Sequence, residues 1–175
     1  EVLKCTPEEN LAMIFDSVEF LTRKGIHVFF DAEHFFDGFR DNPEYSLSCL
    51  KAAQDAGAEF LVLCDTNGGS LPGQIQAEVG MLRNKVSAPL GIHCHNDAAV
   101  AVASSLAAVQ AGCSMVQGTI NGIGERCGNA DLIPIIANLS LKLGIDCISD
   151  AKLRKLTEVS RFVSEVSNMR HANNQ

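Results

Sequence analysis

The sequence predicts an α/β fold of consecutive parallel strand–helix units, and three observations carry that expectation. Four short apolar runs begin near positions 26, 60, 89 and 115, a repeat of about 30 residues that suits parallel β–α–β units. Each run is apolar throughout instead of alternating, the pattern of strands covered on both faces. Each is followed by apolar residues at helical spacing.

Thr6-Pro7-Glu8-Glu9 reads as a helix start, with Thr6 as N-cap, Pro7 in the first turn and Glu9 as the reciprocal capping carboxylate. Leu11, Ile14, Phe15, Val18 and Leu21 follow at helical spacing, and Gly25 sits where a helix ends. Ile26 to Phe30 is the first strand, and Asp31 to Asp41 reads as a loop. Asn42-Pro43 opens a helix that carries Leu47 and Leu50 and closes at Gly57, before a second strand from Phe60 to Cys64. A polar turn, 65–70, precedes a helix with Ile75, Val79 and Leu82. The third strand starts at Pro89 to Ile92, and its helix runs from about Asp97 to Ala111, ending at Gly112. Met115 to Ile120 is the fourth strand, followed by a helix with Leu132, Ile135, Ile136, Leu139 and Leu143. A last helix from Asp150 places Leu153, Leu156, Val159, Val163 and Val166 on one face, ahead of a polar tail, Asn173-Asn174-Gln175. The chain thus divides into a strand–helix array over 1–148 and a C-terminal helix and tail over 149–175.

At 175 residues the chain suits one domain, and its 46% hydrophobic and 20% charged content suits a packed core, which excludes disorder. A net charge of −7 without a basic cluster argues against nucleic acid and anionic membrane as partners. No apolar run reaches the roughly 18 residues of a membrane span. Seven scattered cysteines, no CxxC and no signal-peptide pattern point to free thiols and a cytoplasmic setting.

The polar residues gather at strand C-termini, where parallel α/β folds build their sites. They lie in Asp31-Ala32-Glu33-His34, Asp65-Thr66-Asn67-Gly68-Gly69, His93-Cys94-His95-Asn96-Asp97 and the stretch from Asn121 to Asn129. His93 and His95, two apart on a strand, project to one face and can reach one metal ion, with Cys94 pointing oppositely. Taken alone, the pair reads equally as two strand-end histidines bonded to carbonyls or water. Asn129, in the glycine-rich loop after the next strand, could bring its side-chain oxygen to the same ion or cap the following helix. Glu33 is a candidate acid or base, in an apolar setting if Phe29, Phe30, Phe35 and Phe36 surround it, or else a solvated loop charge. Thr66 could donate to a carboxylate or merely shape its turn, and Gly68-Gly69 could admit a ligand or serve the turn. No spacing pairs Cys127 with a histidine, so it reads as structural, and the other six cysteines read as small core residues.

Four segments, FDAEHFFDGF, LCDTNGG, GIHCHND and GTINGIGERCGN, resemble in order and spacing the acyl-CoA-dependent Claisen-condensing enzymes. That family includes isopropylmalate, homocitrate and citramalate synthases, with hydroxymethylglutaryl-CoA lyase a wider relative. The likeness spans about residues 10 to 165, and its first segment is nearest the citramalate-forming members. It implies a TIM barrel of which this chain supplies strands five to eight. It implies that His93, His95 and Asn129 hold a divalent metal (Mg, Mn or Zn), that Thr66 contacts the 2-oxo acid carboxylate, and that Glu33 stands at the reacting centre. The implied reaction joins acetyl-CoA to a 2-oxo acid, with pyruvate expected, and releases citramalate and CoA as a step of branched-chain amino-acid biosynthesis.

One family feature is missing: the first-strand Arg-Asp motif that supplies a catalytic cation and a further metal ligand. The chain therefore reads as a half-barrel, opening just before strand five. It is expected to be inactive alone and to be completed by an N-terminal half or by a second copy in a homodimer. The competing readings are an isopropylmalate or homocitrate synthase, a lyase of the hydroxymethylglutaryl-CoA type, and an inactive metal-binding or scaffold half-barrel.

Overall fold

The computed structural model describes residues 4–169. The elements in chain order are α1 Pro7–Thr22, β1 Phe29–Ala32, α2 Phe35–Asp41, α3 Pro43–Asp55, β2 Phe60–Asp65, α4 Pro72–Leu82, β3 Leu90–Cys94, α5 Ala101–Ala111, β4 Met115–Gln117, a 3₁₀ turn Ile120–Gly122, α6 Leu132–Lys142, α7 Asp150–Leu153 and α8 Leu156–Val166. The four strands form one parallel sheet in the order β1-β2-β3-β4. The parallel α/β expectation therefore holds, as does the capping box: Glu9 N donates to Thr6 Oγ1 and Thr6 N to the Glu9 carboxylate.

The two faces of the sheet differ because side chains alternate along each strand. Leu61, Leu63, Ile92 and Cys94 turn to the helices and join the buried cluster with Leu50, Ile75, Val79, Leu82, Ala108 and Ile135. The other face carries Phe29 and Asp31 on β1, Val62 and Cys64 on β2, His93 on β3, and Met115 and Gln117 on β4, with Cys64, His93 and Gln117 in register. A flat sheet would separate β1 from β4 by three strand spacings, about 14 Å. Yet Gln117 Nε2 donates to Asp31 Oδ1 at 2.9 Å, so the sheet curls toward this face and makes it concave.

Several boundaries differ from the sequence expectations. β1 begins at Phe29, with Ile26 51% exposed outside it, so Asp31 belongs to the strand rather than to a loop. The expected loop contains α2, which exists because Phe35, Phe36 and Phe39 all sink into the core, Phe35 packing edge-on to Phe36 and stacking on Phe39. α5 starts at Ala101 and not Asp97, since Ala99 takes φ 56° and Asn96 Oδ1 accepts from Ala101 N. β4 stops at Gln117 because the chain next pairs with its own return, Thr119 N donating to Ala130 O and Leu132 N to Thr119 O.

The last helix breaks at Arg154-Lys155 into α7 and α8. Its apolar stripe docks only in part, Leu153, Leu156 and Val163 being half-buried. Ser160 and Ser164 are buried against Asn121, which donates to Ser160 O and Ser164 Oγ, while Val159 and Val166 remain exposed. The tail at 173–175 lies outside the described residues. All seven cysteines are free. Cys64, Cys94 and Cys113 are core residues, but Cys127 and Cys147 are exposed, contrary to the small-core and structural readings. Burial pushes the Cys94 and Cys113 thiols up to about 12, so these are inert neutral side chains at ordinary pH. No helix among the described residues is long and apolar enough to cross a membrane.

Candidate metal and substrate site

The strand period delivers His93 and His95 to the concave face, and their rings meet. The two Nε2 atoms are 3.3 Å apart. Two nitrogen ligands about 2.1 Å from one ion span a similar distance at tetrahedral to octahedral angles. Behind His93, Nδ1 lies 2.9 Å from Gln117 Oε1. Cys94, between the two histidines, is fully buried on the helix side, where Ser105 of α5 hydrogen-bonds its thiol.

Asn129 reaches the same place by another route. His95 and Asn129 form an isolated antiparallel bridge, and Asn129 Nδ2 donates to Ile123 O. The helix cap that would explain Asn129 without a ligand belongs instead to Asp131, which accepts from Ile133 N at the start of α6. Gly124 is required here by close approach, since a Cβ at that position would overlap the Asn129 amide. Two buried polar atoms without partners remain among the described residues, His95 Nδ1 and Asn129 Oδ1. Such orphans are costly and call for a ligand or strain as explanation. The donor set, two imidazoles and an amide oxygen, fits a divalent cation of borderline character. It is partial, because no group of three His, Cys, Asp or Glu side chains converges among the described residues.

Glu33 and Thr66 also meet, across the ends of β1 and β2. Thr66 Oγ1 donates to Glu33 Oε2 at 2.7 Å and accepts from His34 N at 2.7 Å. The apolar setting expected for Glu33 is absent: its carboxylate is exposed, because the phenylalanines after it turn into the helix-side core. Glu33 borders a cavity of about 580 Å³ that Phe30, His34, Tyr45 and Cys49 also line. Both Glu33 and Asp31 face the Cys64 thiol, which burial first and these carboxylates next push far above its ordinary value. The histidine pair and the Glu33–Thr66 pair are thus adjacent on one face, with His95 N donating to Asp65 O between them.

Four residues that sequence reasoning did not single out complete the arrangement. Gln117 and Asp31 stand behind His93; Gln117 was detectable as a polar residue inside a run read as a buried strand. Arg126 and Asp97 form a latch over the β2 turn. The Arg126 guanidinium binds both Asp97 oxygens, at 2.9 and 3.1 Å, and donates to Thr66 O at 2.6 Å. Gly68 permits this packing: at φ +61°, a Cβ there would lie 2.6 Å from Asp97 Oδ2. Gly68 thus serves the turn and the close approach of protein to protein.

The Arg126 hydrogen bond holds the Asp97 carboxyl below its usual range. A depressed carboxyl favours the latched state fully above the ordinary value of about 4, and that contribution disappears as pH falls through the depressed value. We expect Arg126→Gln to lower hydrogen-exchange protection at the Ala98 amide, which bonds Gly68 O, with little change in melting temperature. Acidification of the parent chain should reproduce that loss.

The HMGL-like family model matches residues 1–163. The (R)-citramalate synthase of Geobacter sulfurreducens is 55% identical over 169 residues, covering 97% of this chain and 32% of that protein. That of Aquifex aeolicus is also 55% identical, over 170 residues, with the same coverages. A 2-isopropylmalate synthase of Methanocaldococcus jannaschii is 38% identical over 168 residues, covering 96% of this chain and 32% of its own. The chain therefore spans about a third of the length of the curated relatives it matches. Among solved structures, an HMG-CoA lyase of Bacillus subtilis aligns with TM-score 0.74 at 20% identity, over 94% of this chain and 58% of that one. The carboxyl transferase domain of Rhizobium etli pyruvate carboxylase aligns with TM-score 0.73 at 19% identity, over 89% and 26%. These two likenesses concern the fold. With the family model matched over nearly the whole chain, the protein belongs to the HMGL-like family.

Proposed function

We propose that this chain carries part of the site of an acyltransferase that condenses acetyl-CoA with a 2-oxo acid. Pyruvate is the oxo acid we favour, with water then cleaving the thioester to give citramalate and CoA. The observation that carries this reading is the convergence of the His93 and His95 Nε2 atoms beside the Glu33–Thr66 pair. The high identity to proteins named (R)-citramalate synthase supports the choice of pyruvate.

In this reading His93, His95 and Asn129 hold a divalent cation (Mg, Mn or Zn), which when bound supplies Lewis acidity toward the ketone oxygen. The protein's own residues do the rest. Thr66 O–H is now committed to Glu33, so a substrate carboxylate that accepts the hydroxyl's hydrogen bond in its place sets the Glu33 carboxylate free. Glu33, released beside the reacting centre, removes a proton from the acetyl methyl or relays it through water. Loading of the oxo acid and arming of the base are coupled through one hydroxyl.

The curled sheet corresponds, in our reading, to strands five to eight of a barrel in a cytoplasmic enzyme. β1 and β4 are its edges, and exposed edges invite pairing. Further chain or a second copy would complete the site. Light scattering at micromolar concentration should show a self-associated 175-residue chain, and acetyl-CoA turnover with pyruvate should be undetectable for it alone. Calorimetric titration with Mn²⁺ and Zn²⁺ tests the centre itself: saturable binding near one cation per chain is expected. Absence of binding heat with both ions would remove the metal reading.

A further inference from the structure

The polar side chains of the concave face form a line that the reaction scheme above does not use. Asp31 Oδ1 accepts from Gln117 Nε2 at 2.9 Å, and Gln117 Oε1 lies 2.9 Å from His93 Nδ1. It joins β1 to β4 and ends on the histidine of β3. An ionised carboxylate can only accept, so Asp31 settles which end of the Gln117 amide faces it. The NH₂ group turns to Asp31 and the carbonyl oxygen to His93. That oxygen can only accept in turn, so the proton of a neutral His93 ring must sit on Nδ1. Nε2 is then left with its lone pair pointing at His95.

We propose that Asp31 and Gln117 are positioning residues, an amide-extended relay that locks His93 in the Nδ1-protonated form and so presents Nε2 to a cation. The value of this toward a cation rests on the metal reading above; the tautomer assignment stands on the hydrogen bonds alone. Buttressing of a ligating imidazole by a carboxylate or carbonyl oxygen fixes ring orientation and raises ligand basicity. Here the carboxylate acts through an amide, so His93 is oriented without an anion against its ring. Because the two residues come from opposite edges of the sheet, the relay also depends on the curl. Strand closure and ligand presentation are therefore one event.

The test uses the ¹⁵N-labelled 175-residue chain near pH 8. Two-bond nitrogen–proton correlations read the tautomer, and Zn²⁺ and Mn²⁺ titrations read affinity. The parent should show His93 protonated on Nδ1. Gln117→Leu should mix or invert that tautomer and weaken cation binding about 10- to 100-fold, the usual cost of losing a partner behind a ligand. Asp31→Ala should blur the tautomer by freeing the amide to flip. The pair Gln117→Glu with Asp31→Asn, which rebuilds the line with donor and acceptor exchanged, should restore the Nδ1 form and bring affinity back to within about threefold. A merely structural role would not predict that rescue. A parent His93 protonated on Nε2, or a Gln117→Leu chain with unchanged tautomer and affinity, would overturn the relay. Absent cation binding with the expected tautomers would leave the relay standing and defeat the metal reading instead.

Discussion

His93→Ala and His95→Ala are each expected to abolish measurable Zn²⁺ and Mn²⁺ binding, a larger loss than the about 10- to 100-fold anticipated for a residue behind a ligand. The reasoning is one of donor count. The site has two ring nitrogens and one amide oxygen on hand, and no third His, Cys, Asp or Glu side chain converges on them among the described residues. Removing one imidazole leaves too few protein donors to compete with water for a divalent ion. Fold damage should be small, because both rings are only half-buried on the open face and take no part in the helix-side core. Calorimetry read alongside circular dichroism separates the outcomes. Undiminished binding in either variant would place the cation elsewhere.

Phe36→Ala is expected to give the largest loss of stability in the chain, about 3–5 kcal/mol, because truncating a buried aromatic removes both transfer energy and packing. Phe36 is fully buried on α2, its ring edge-on to Phe35. α2 is only seven residues long and its N-cap residue, His34, makes no side-chain cap. Helices this short owe their existence to tertiary packing. Losing that anchor should loosen α2 and the Glu33–His34 backbone leading into it, lowering the melting temperature on the order of 10 °C. A shift under 2 °C, equivalent to about 1 kcal/mol or less, would show α2 to be held by something other than its phenylalanines.

Much of this molecule was legible in its residues. The run-and-turn repeat identified four parallel strands, and Thr6, Pro7 and Glu9 identified the first helix start to the residue. His93 and His95 were legible because a period of two is a property of any strand, independent of what the strand packs against. What escaped notice depended on long-range meetings. α2 was missed because three closely spaced phenylalanines have no helical signature strong enough to outweigh a loop reading; burial makes it a helix. α8 was read by its apolar stripe, of which Leu156 and Val163 are half-buried, but its most buried residues are Ser160 and Ser164, because Asn121 offers hydrogen bonds there.

The sequence alone determined the order of elements, the face shared by the two histidines and the gathering of polar residues at strand ends, since these follow from local periodicity and chain direction. Only the tertiary structure decided that Asp31 and Gln117, 86 positions apart, would touch, that Thr66 would hold Glu33, and that Asp131 rather than Asn129 would cap α6. The first of those contacts exists because the sheet curls. Curl is a collective outcome of strand twist and core packing, which no single stretch of residues encodes.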